Sequence, residues 1–285
     1  MTDSPHGKPS STDAYEHGSP SAWDGVFEGL DLSYSESPVS QGKLFEIVKV
    51  GFLEKLLPRP PKDVIEVGCG TAFVSLYFAK RGYATTGVDL NTRILKQAEA
   101  NFSREGVQGS FVCSNAEDLP FASGGFDAVT SFGLLEHFKD PATAIREMVR
   151  VTRPGGFFFA DIVPRRFSTQ TLGSIFNAVT TSGYWTLKGK PALGLKKAGR
   201  QFRPDYYENR LGWRAYTKIM EDAGLTDIEV RGNRPFPRLT LSPGLDRSYT
   251  ALLNRAAGPW KKFDASGSSL SKFWGAGWWF WGQKA

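Results

Sequence analysis

Val64-Ile65-Glu66-Val67-Gly68-Cys69-Gly70-Thr71-Ala72 is the stretch on which the reading of this chain turns. VIEV (64–67) has the apolar, β-branched character of a short buried strand. Gly68 and Gly70 then let the backbone turn tightly and approach a ligand at the N-terminus of a helix read over Thr71–Lys80. Alone, such a glycine turn also fits a plain strand-to-helix connection.

Working outward, helical spacing of Leu44, Ile47, Val48, Phe52, Leu53 and Leu56 predicts a helix over Gly42–Leu57, ended by Pro58, Pro60 and Pro61. Downstream, strands are predicted at TTGVDL (85–90), SFVC (110–113), FDAVTSF (126–132) and GFFFAD (156–161), with helices at Arg93–Ser103 and Pro141–Val151. Later come a helix at Leu211–Ala223, stopped by Gly224, and a strand at DIEVRG (227–232). Short apolar strands alternating with helices indicate an α/β fold, a doubly wound, mostly parallel sheet covered on both faces, with a cap insertion after the fifth strand. The expected organisation is a disordered leader (1–20), a core with N-terminal helices (21–161), an acceptor cap (162–210), completion of the sheet (211–240) and an aromatic-rich C-terminal tail (241–285).

In an open parallel sheet the ligand sits beyond the carboxyl ends of the strands. Asp89 ends the second strand there, and a carboxylate accepts hydrogen bonds from both hydroxyls of a ribose. Turn plus acid therefore points to a nucleoside. A dinucleotide fingerprint needs a small residue three positions after its second glycine, and that position holds Phe73, which counts against a nicotinamide-dependent oxidoreductase.

In VIEVGCGTA (64–72), GVDL (87–90), NAEDLPF (115–121), FDAVTSFGLLEHFKDP (126–141) and RVTRPGG (150–156), in this order, the chain resembles the class I S-adenosylmethionine-dependent methyltransferases. The branch it resembles acts on small molecules and quinone-like or lipid acceptors. The resemblance implies a Rossmann-like methyltransferase fold and S-adenosyl-L-methionine as co-substrate, with no metal expected. Carried over, Glu66, Gly68 and Gly70 line the methionine and ribose part, Asp89 takes the ribose hydroxyls, and Asn115, Ala116 and Glu117 flank the adenine. Cys69, Leu90 and Phe132 complete the expected cofactor-binding set. Two positions depart from the family pattern: Ala72 replaces a third glycine, whose loss is expected to matter only for helix–strand packing, and Asn115 replaces an acid but keeps an acceptor oxygen.

Methyl transfer needs alignment above all, with a base to take the acceptor's proton. His6 and His17 fall in the leader, leaving His137 as the base candidate, with Glu136 beside it. A helix-capping or supporting role is the competing reading for both residues. Asp161, at the end of the fifth strand, is a weaker candidate for contact with the acceptor.

The 285 residues carry a net charge of +6, too mild to argue for nucleic acid, and two cysteines, too few for a disulfide framework. No signal peptide and no run of about 20 apolar residues is found, so the reading is a cytoplasmic protein. Between Arg150 and Arg214 twelve basic residues face three acidic ones, and Arg165, Arg166, Arg200 and Arg203 are expected to receive an anionic acceptor. A solvated basic face is the competing reading. The tail FWGAGWWFWGQKA (273–285) fits either peripheral membrane contact or packing on the acceptor region. Trp23, Phe27 and Tyr34 form either a lid over the donor or the packing face of an N-terminal helix. The leading function is transfer of a methyl group to a small-molecule or lipid-linked acceptor. The alternative is a non-catalytic nucleoside-binding protein of the same fold.

Overall fold

The structure, a computed structural model, describes residues 32–60, 62–202 and 207–285. The expected leader, with Trp23, Phe27 and Arg203, lies outside the described residues. Helix α1 (Gln41–Leu53) is capped by the Ser40 side chain and precedes strand β1 (Asp63–Val67). Then follow α2 (Phe73–Ala79), β2 (Ala84–Asp89), α3 (Thr92–Glu105), β3 (Ser110–Cys113), β4 (Phe126–Phe132), a 3-10 turn (Leu135–His137), α4 (Ala142–Val151) and β5 (Thr152–Ile162). The strands and helices predicted between residues 42 and 232 are all present. Helix α2 starts two residues later than predicted because Ala72 is left-handed (φ 55°, ψ 39°) and belongs to the turn. The missing glycine therefore costs backbone strain, of about 1–2 kcal/mol for a non-glycine residue, in addition to packing.

After β5 the insertion folds into helices α5 (Thr169–Leu187) and α6 (Pro191–Gly199), and the chain re-enters the core through α7 (Trp213–Asp222) and β6 (Leu225–Asn233). Helices α8 (Pro243–Arg255), α9 (Ala257–Ala265) and α10 (Ser269–Trp274) lead to β7 (Gly277–Lys284). The sheet order is β3-β2-β1-β4-β5-β7-β6, so the direction of winding reverses between β1 and β4. Strands β1 to β5 are parallel, and β7 runs antiparallel to both β5 and β6.

Reading 241–285 as a tail is thus corrected. The run Trp278-Trp279-Phe280-Trp281 is an inserted strand, with Trp278 and Phe280 in the core on one face of the sheet and Trp279 and Trp281 on the other. A strand buried on both faces reads as a continuous apolar run, which is why the segment showed no alternation. Trp278 and Trp279 are each only 3% exposed, so these rings are not offered to a membrane surface. They also position what lies beyond the sheet: Phe52 of α1 stacks on Trp279 with ring centroids 4.4 Å apart. On its other side α1 packs Leu44, Phe45 and Val48 against Leu253 of α8 and Trp260 of α9.

Candidate active site

A cavity of about 1220 Å³ opens where the winding reverses, at the carboxyl ends of β1, β2 and β4. Pockets for one drug-sized molecule are about 300–1,000 Å³, so there is room here for two reactants.

One end is built from the strand-end turns. Gly68 adopts φ +73°, and a Cβ there would lie 2.9 Å from the Leu134 side chain, so both conformation and space require glycine. Asp89 accepts from the amides of Gly70 (2.8 Å, to Oδ2) and Asn91 (2.9 Å, to Oδ1), which locks the turn after β1 to the end of β2. Burial raises the Asp89 pKa, while these amides oppose the shift. A carboxylate has about four acceptor directions, more than the amides of Gly70, Leu90 and Asn91 occupy, which leaves room for a hydroxyl donor such as a ribose offers. Glu66 (3% exposed) accepts from the Ser75 amide at 2.9 Å and hydroxyl at 2.5 Å, and burial pushes its carboxyl up to about 7. It pins α2 to β1 as well as lining the cavity. The Cys69 thiol is buried and pushed well above its ordinary pKa, which suits a wall rather than a nucleophile. Asn115 bends its own chain, its Oδ1 accepting from the Glu117 amide at 3.1 Å. Leu90, Asn115, Ala116, Glu117 and Phe132 all line the cavity, so the structure brings the whole expected cofactor set together.

The opposite wall contains residues that local reading missed. Gln41, Lys43, Glu46 and Lys49 of α1 face Arg238, Leu239, Thr240 and Leu241 of the loop after β6. Gln41, 3% exposed, exchanges two 2.9 Å hydrogen bonds with Leu239, giving its Nε2–H to the carbonyl and accepting the amide at Oε1. It also donates to Asp246. Lys49 Nζ lies 3.1 Å from Glu46, 3.8 Å from Asp161 and 4.9 Å from the centroid of the Phe132 ring. Burial works against its charge, but Glu46 and Asp161 outweigh burial and raise its pKa. Asp161 itself is held by Asn233 Nδ2 at 2.9 Å.

His137 lines the cavity and Glu136 does not. Glu136 is 2% exposed, its Oε1 accepting from the Val163 amide at 3.1 Å while Oε2 has no partner, and burial pushes its carboxyl up to about 8. The structure thus separates the two acid–base candidates: Glu136 ties the 3-10 turn to the end of β5. His137 Nδ1 lies 2.7 Å from the Tyr207 carbonyl, which only accepts, so this nitrogen carries a proton. Burial lowers the imidazole pKa, favouring the neutral ring at pH 7, against the hold of the Tyr207 and Gly133 backbones. Asn209 fixes the same turn, donating to the carbonyls of Leu135 (3.2 Å) and Phe138 (3.0 Å).

The expected cap does not form the wall. No described residue from 162 to 210 lines the cavity, and Arg165 and Arg166 are bound to backbone carbonyls, Arg165 to Phe202 and Arg166 to Phe167, Phe273 and Gly275. Among the described residues, the Lys and Arg side chains at the cavity are Lys43, Lys49, Lys139 and Arg238. Tyr34 packs on Phe73, with centroids 5.0 Å apart, and donates to Glu36 at 2.7 Å.

Residues 65–160 match the family model described as a methyltransferase domain. This segment is a class I methyltransferase domain. Among curated relatives, the chain is similar to ubiquinone biosynthesis O-methyltransferases: 32% identical over 129 residues to that of Chromobacterium violaceum (45% of this chain, 56% of the relative). The corresponding figures are 30% over 124 residues for Coxiella burnetii (44% and 53%) and 26% over 214 residues for Burkholderia pseudomallei (74% and 85%). The chain spans about half the length of the first of these relatives. Among solved structures it resembles an S-adenosylmethionine-dependent methyltransferase from Mesorhizobium loti (TM-score 0.53, 14% identity, 83% of this chain and 98% of that one). It also resembles the cyclase SpnF (TM-score 0.50, 17% identity, 83% and 79%). At such identities the methyltransferase domain shares the fold alone, and one fold serves different chemistries.

Proposed function

We propose that this chain is an S-adenosylmethionine-dependent methyltransferase acting on a small-molecule or lipid-linked acceptor of quinone type. The observation that carries the reading is a single cavity with a nucleoside-type end, built on Gly68, Gly70 and Asp89, and a separate wall formed by α1 and residues 238–241. The ubiquinone O-methyltransferase relatives support the acceptor class. An anionic group on the acceptor would fall to Lys139 and Arg238, since Lys49 is paired with Glu46 and Asp161 and Lys43 bonds the Ser33 carbonyl.

S-adenosylmethionine supplies a methyl group already activated on a positive sulfonium, so the protein's task is alignment. Asp89 and the Gly68–Gly70 turn hold the nucleoside. The α1 wall orients the acceptor, and the neutral His137 imidazole is assigned the proton that an acceptor hydroxyl gives up. Incubation with isotope-labelled S-adenosylmethionine and a panel of phenolic and polyprenylated phenolic acceptors, read by mass spectrometry, tests the reading. The expected result is a labelled methyl ether with stoichiometric S-adenosylhomocysteine. Tight donor binding without turnover on any acceptor would favour the non-catalytic alternative. His137→Gln should slow turnover by about a hundredfold with donor affinity nearly intact. A loss below about threefold would leave the ring a structural role in the 3-10 turn.

A further inference from the structure

Helix α5 is amphipathic in the wrong sense for a helix packed on a water-soluble domain. Its buried residues are Thr169, Gly173, Asn177 and Ala178. Gly173 lies so close to the loop after β6 that a Cβ would come within 2.8 Å of the Arg238 carbonyl, and Asn177 accepts from the Thr240 amide at 2.7 Å. The outward stripe is Leu172 (45% exposed), Ile175 (46%), Phe176 (39%), Val179 (66%) and Leu187 (91%). These positions share one helical face along roughly 22 Å of helix, from a rise of about 1.5 Å per residue. The exposed ring of Phe167 sits beside the exposed ring of Phe273, centroids 6.1 Å apart, before the helix begins. Leu172, Ile175, Phe176 and Val179 make an exposed apolar patch, with Leu187 beyond Gly183 and Thr186, and such a surface marks a docking site.

Charge says what docks. From residue 162 to 202 there are seven Lys or Arg and no Asp or Glu. Lys188, Lys190, Lys196, Lys197 and Arg200 are exposed at the far end of the α5–α6 hairpin. There Lys197 Nζ lies over the Trp185 ring (4.5 Å) and Lys188 Nζ over the Tyr184 ring (5.8 Å), with Leu187 and Leu195 exposed alongside. Aromatic rings, aliphatic side chains and lysines on flexible stems are the set that suits the boundary between lipid headgroups and acyl chains. A symmetric contact with a second copy would bring the same cations together and is disfavoured by their repulsion.

We propose that the α5–α6 hairpin docks this protein on an anionic lipid surface, the α5 stripe entering the interface and the hairpin lysines meeting the headgroups. The proposal is independent of the methyl-transfer reading, since none of these residues lines the cavity. The full chain is floated with vesicles of phosphatidylcholine alone and of phosphatidylcholine with about a third phosphatidylglycerol. Association with the anionic vesicles is expected to exceed that with the neutral ones by about tenfold or more. The pair Lys196→Glu and Lys197→Glu should weaken it by about tenfold or more, and the pair Ile175→Glu and Val179→Glu should abolish it. The unfolding midpoint and S-adenosylmethionine affinity of each variant are measured alongside; both sites are exposed, so unchanged values are expected. Absence of vesicle association, equal association with neutral vesicles, or association that survives both pairs would overturn the proposal. So would a concentration-dependent dimer in gel filtration that Val179→Glu dissolves, which would assign the stripe to a second copy.

Discussion

The two walls of the cavity differ in how far apart in the chain their parts lie. At the nucleoside end, Gly68, Gly70 and Asp89 sit at the ends of adjacent strands, and the bond from the Gly70 amide to Asp89 spans 19 residues. At the opposite wall, Gln41 and Leu239 are 198 residues apart. The first wall is made of backbone conformations and short turns that one stretch of sequence dictates. The second exists only because α1 is seated by Trp279 and Trp260, so its composition can change without disturbing the first.

The sharpest break of that comparison is Asp89→Ala. Removing an acceptor that holds its own turn and two expected ribose hydroxyls should cost about 3 kcal/mol of donor binding, roughly a hundredfold in Kd. Calorimetric titration with S-adenosylmethionine checks it, and unchanged affinity would free this acid from the role. Next in size is Gln41→Leu, which leaves the Leu239 amide and carbonyl without their partner. The expected outcome is a loss of about 2 kcal/mol in stability and a several-fold rise in acceptor KM, with donor affinity unchanged. If donor affinity fell in parallel, the two walls would not be independent.

The third test concerns pH. Glu136, ordinarily near 4.5, is held at about 8, so between those values the folded protein keeps a proton that the unfolded chain has released. Stability contributed by Glu136 is complete below about 4.5 and is lost as pH rises through about 8. Glu66 and Asp264, raised by burial to about 7 and about 8, act in the same direction. Glu136→Gln should flatten the decline in unfolding free energy between pH 5 and pH 8.5 by about 1–2 kcal/mol. An unaltered slope in denaturant titrations would show that Glu136 is ionised in the fold. The smallest effect is expected of Ala72→Gly, which relieves the left-handed strain at the cost of chain entropy for a net gain of about 0.5–1 kcal/mol. A lower unfolding midpoint would mean that the Ala72 methyl, fully buried, contributes more by packing than it costs in strain.

The placement of the turn at 68–70 and of Asp89 beside it was legible in the sequence, because strands and turns there are local and glycine answers directly to a positive φ. Glu136 and His137 show the limit. They are neighbours in the chain, yet a 3-10 turn sends one side chain toward the end of β5 and the other to the cavity wall. The basic residues of 150–214 show it again, since composition revealed their excess but not that Arg165 and Arg166 are spent on backbone carbonyls.

What the sequence determined by itself is the alternation of strand and helix, the turn at 68–70 and the acid at 89. Short-range sterics and hydrogen bonding decide these within a few residues. The tertiary structure decided where the apolar segments go. Trp278–Trp281 and the α5 stripe are both apolar runs, and hydrophobicity alone does not separate them. The first is buried because β5 and β6 leave a place for a strand between them, whose backbone hydrogen bonds β7 completes on both sides. The second stays outside because the inner face of α5, with Gly173 and Asn177, is shaped and hydrogen-bonded to the loop after β6.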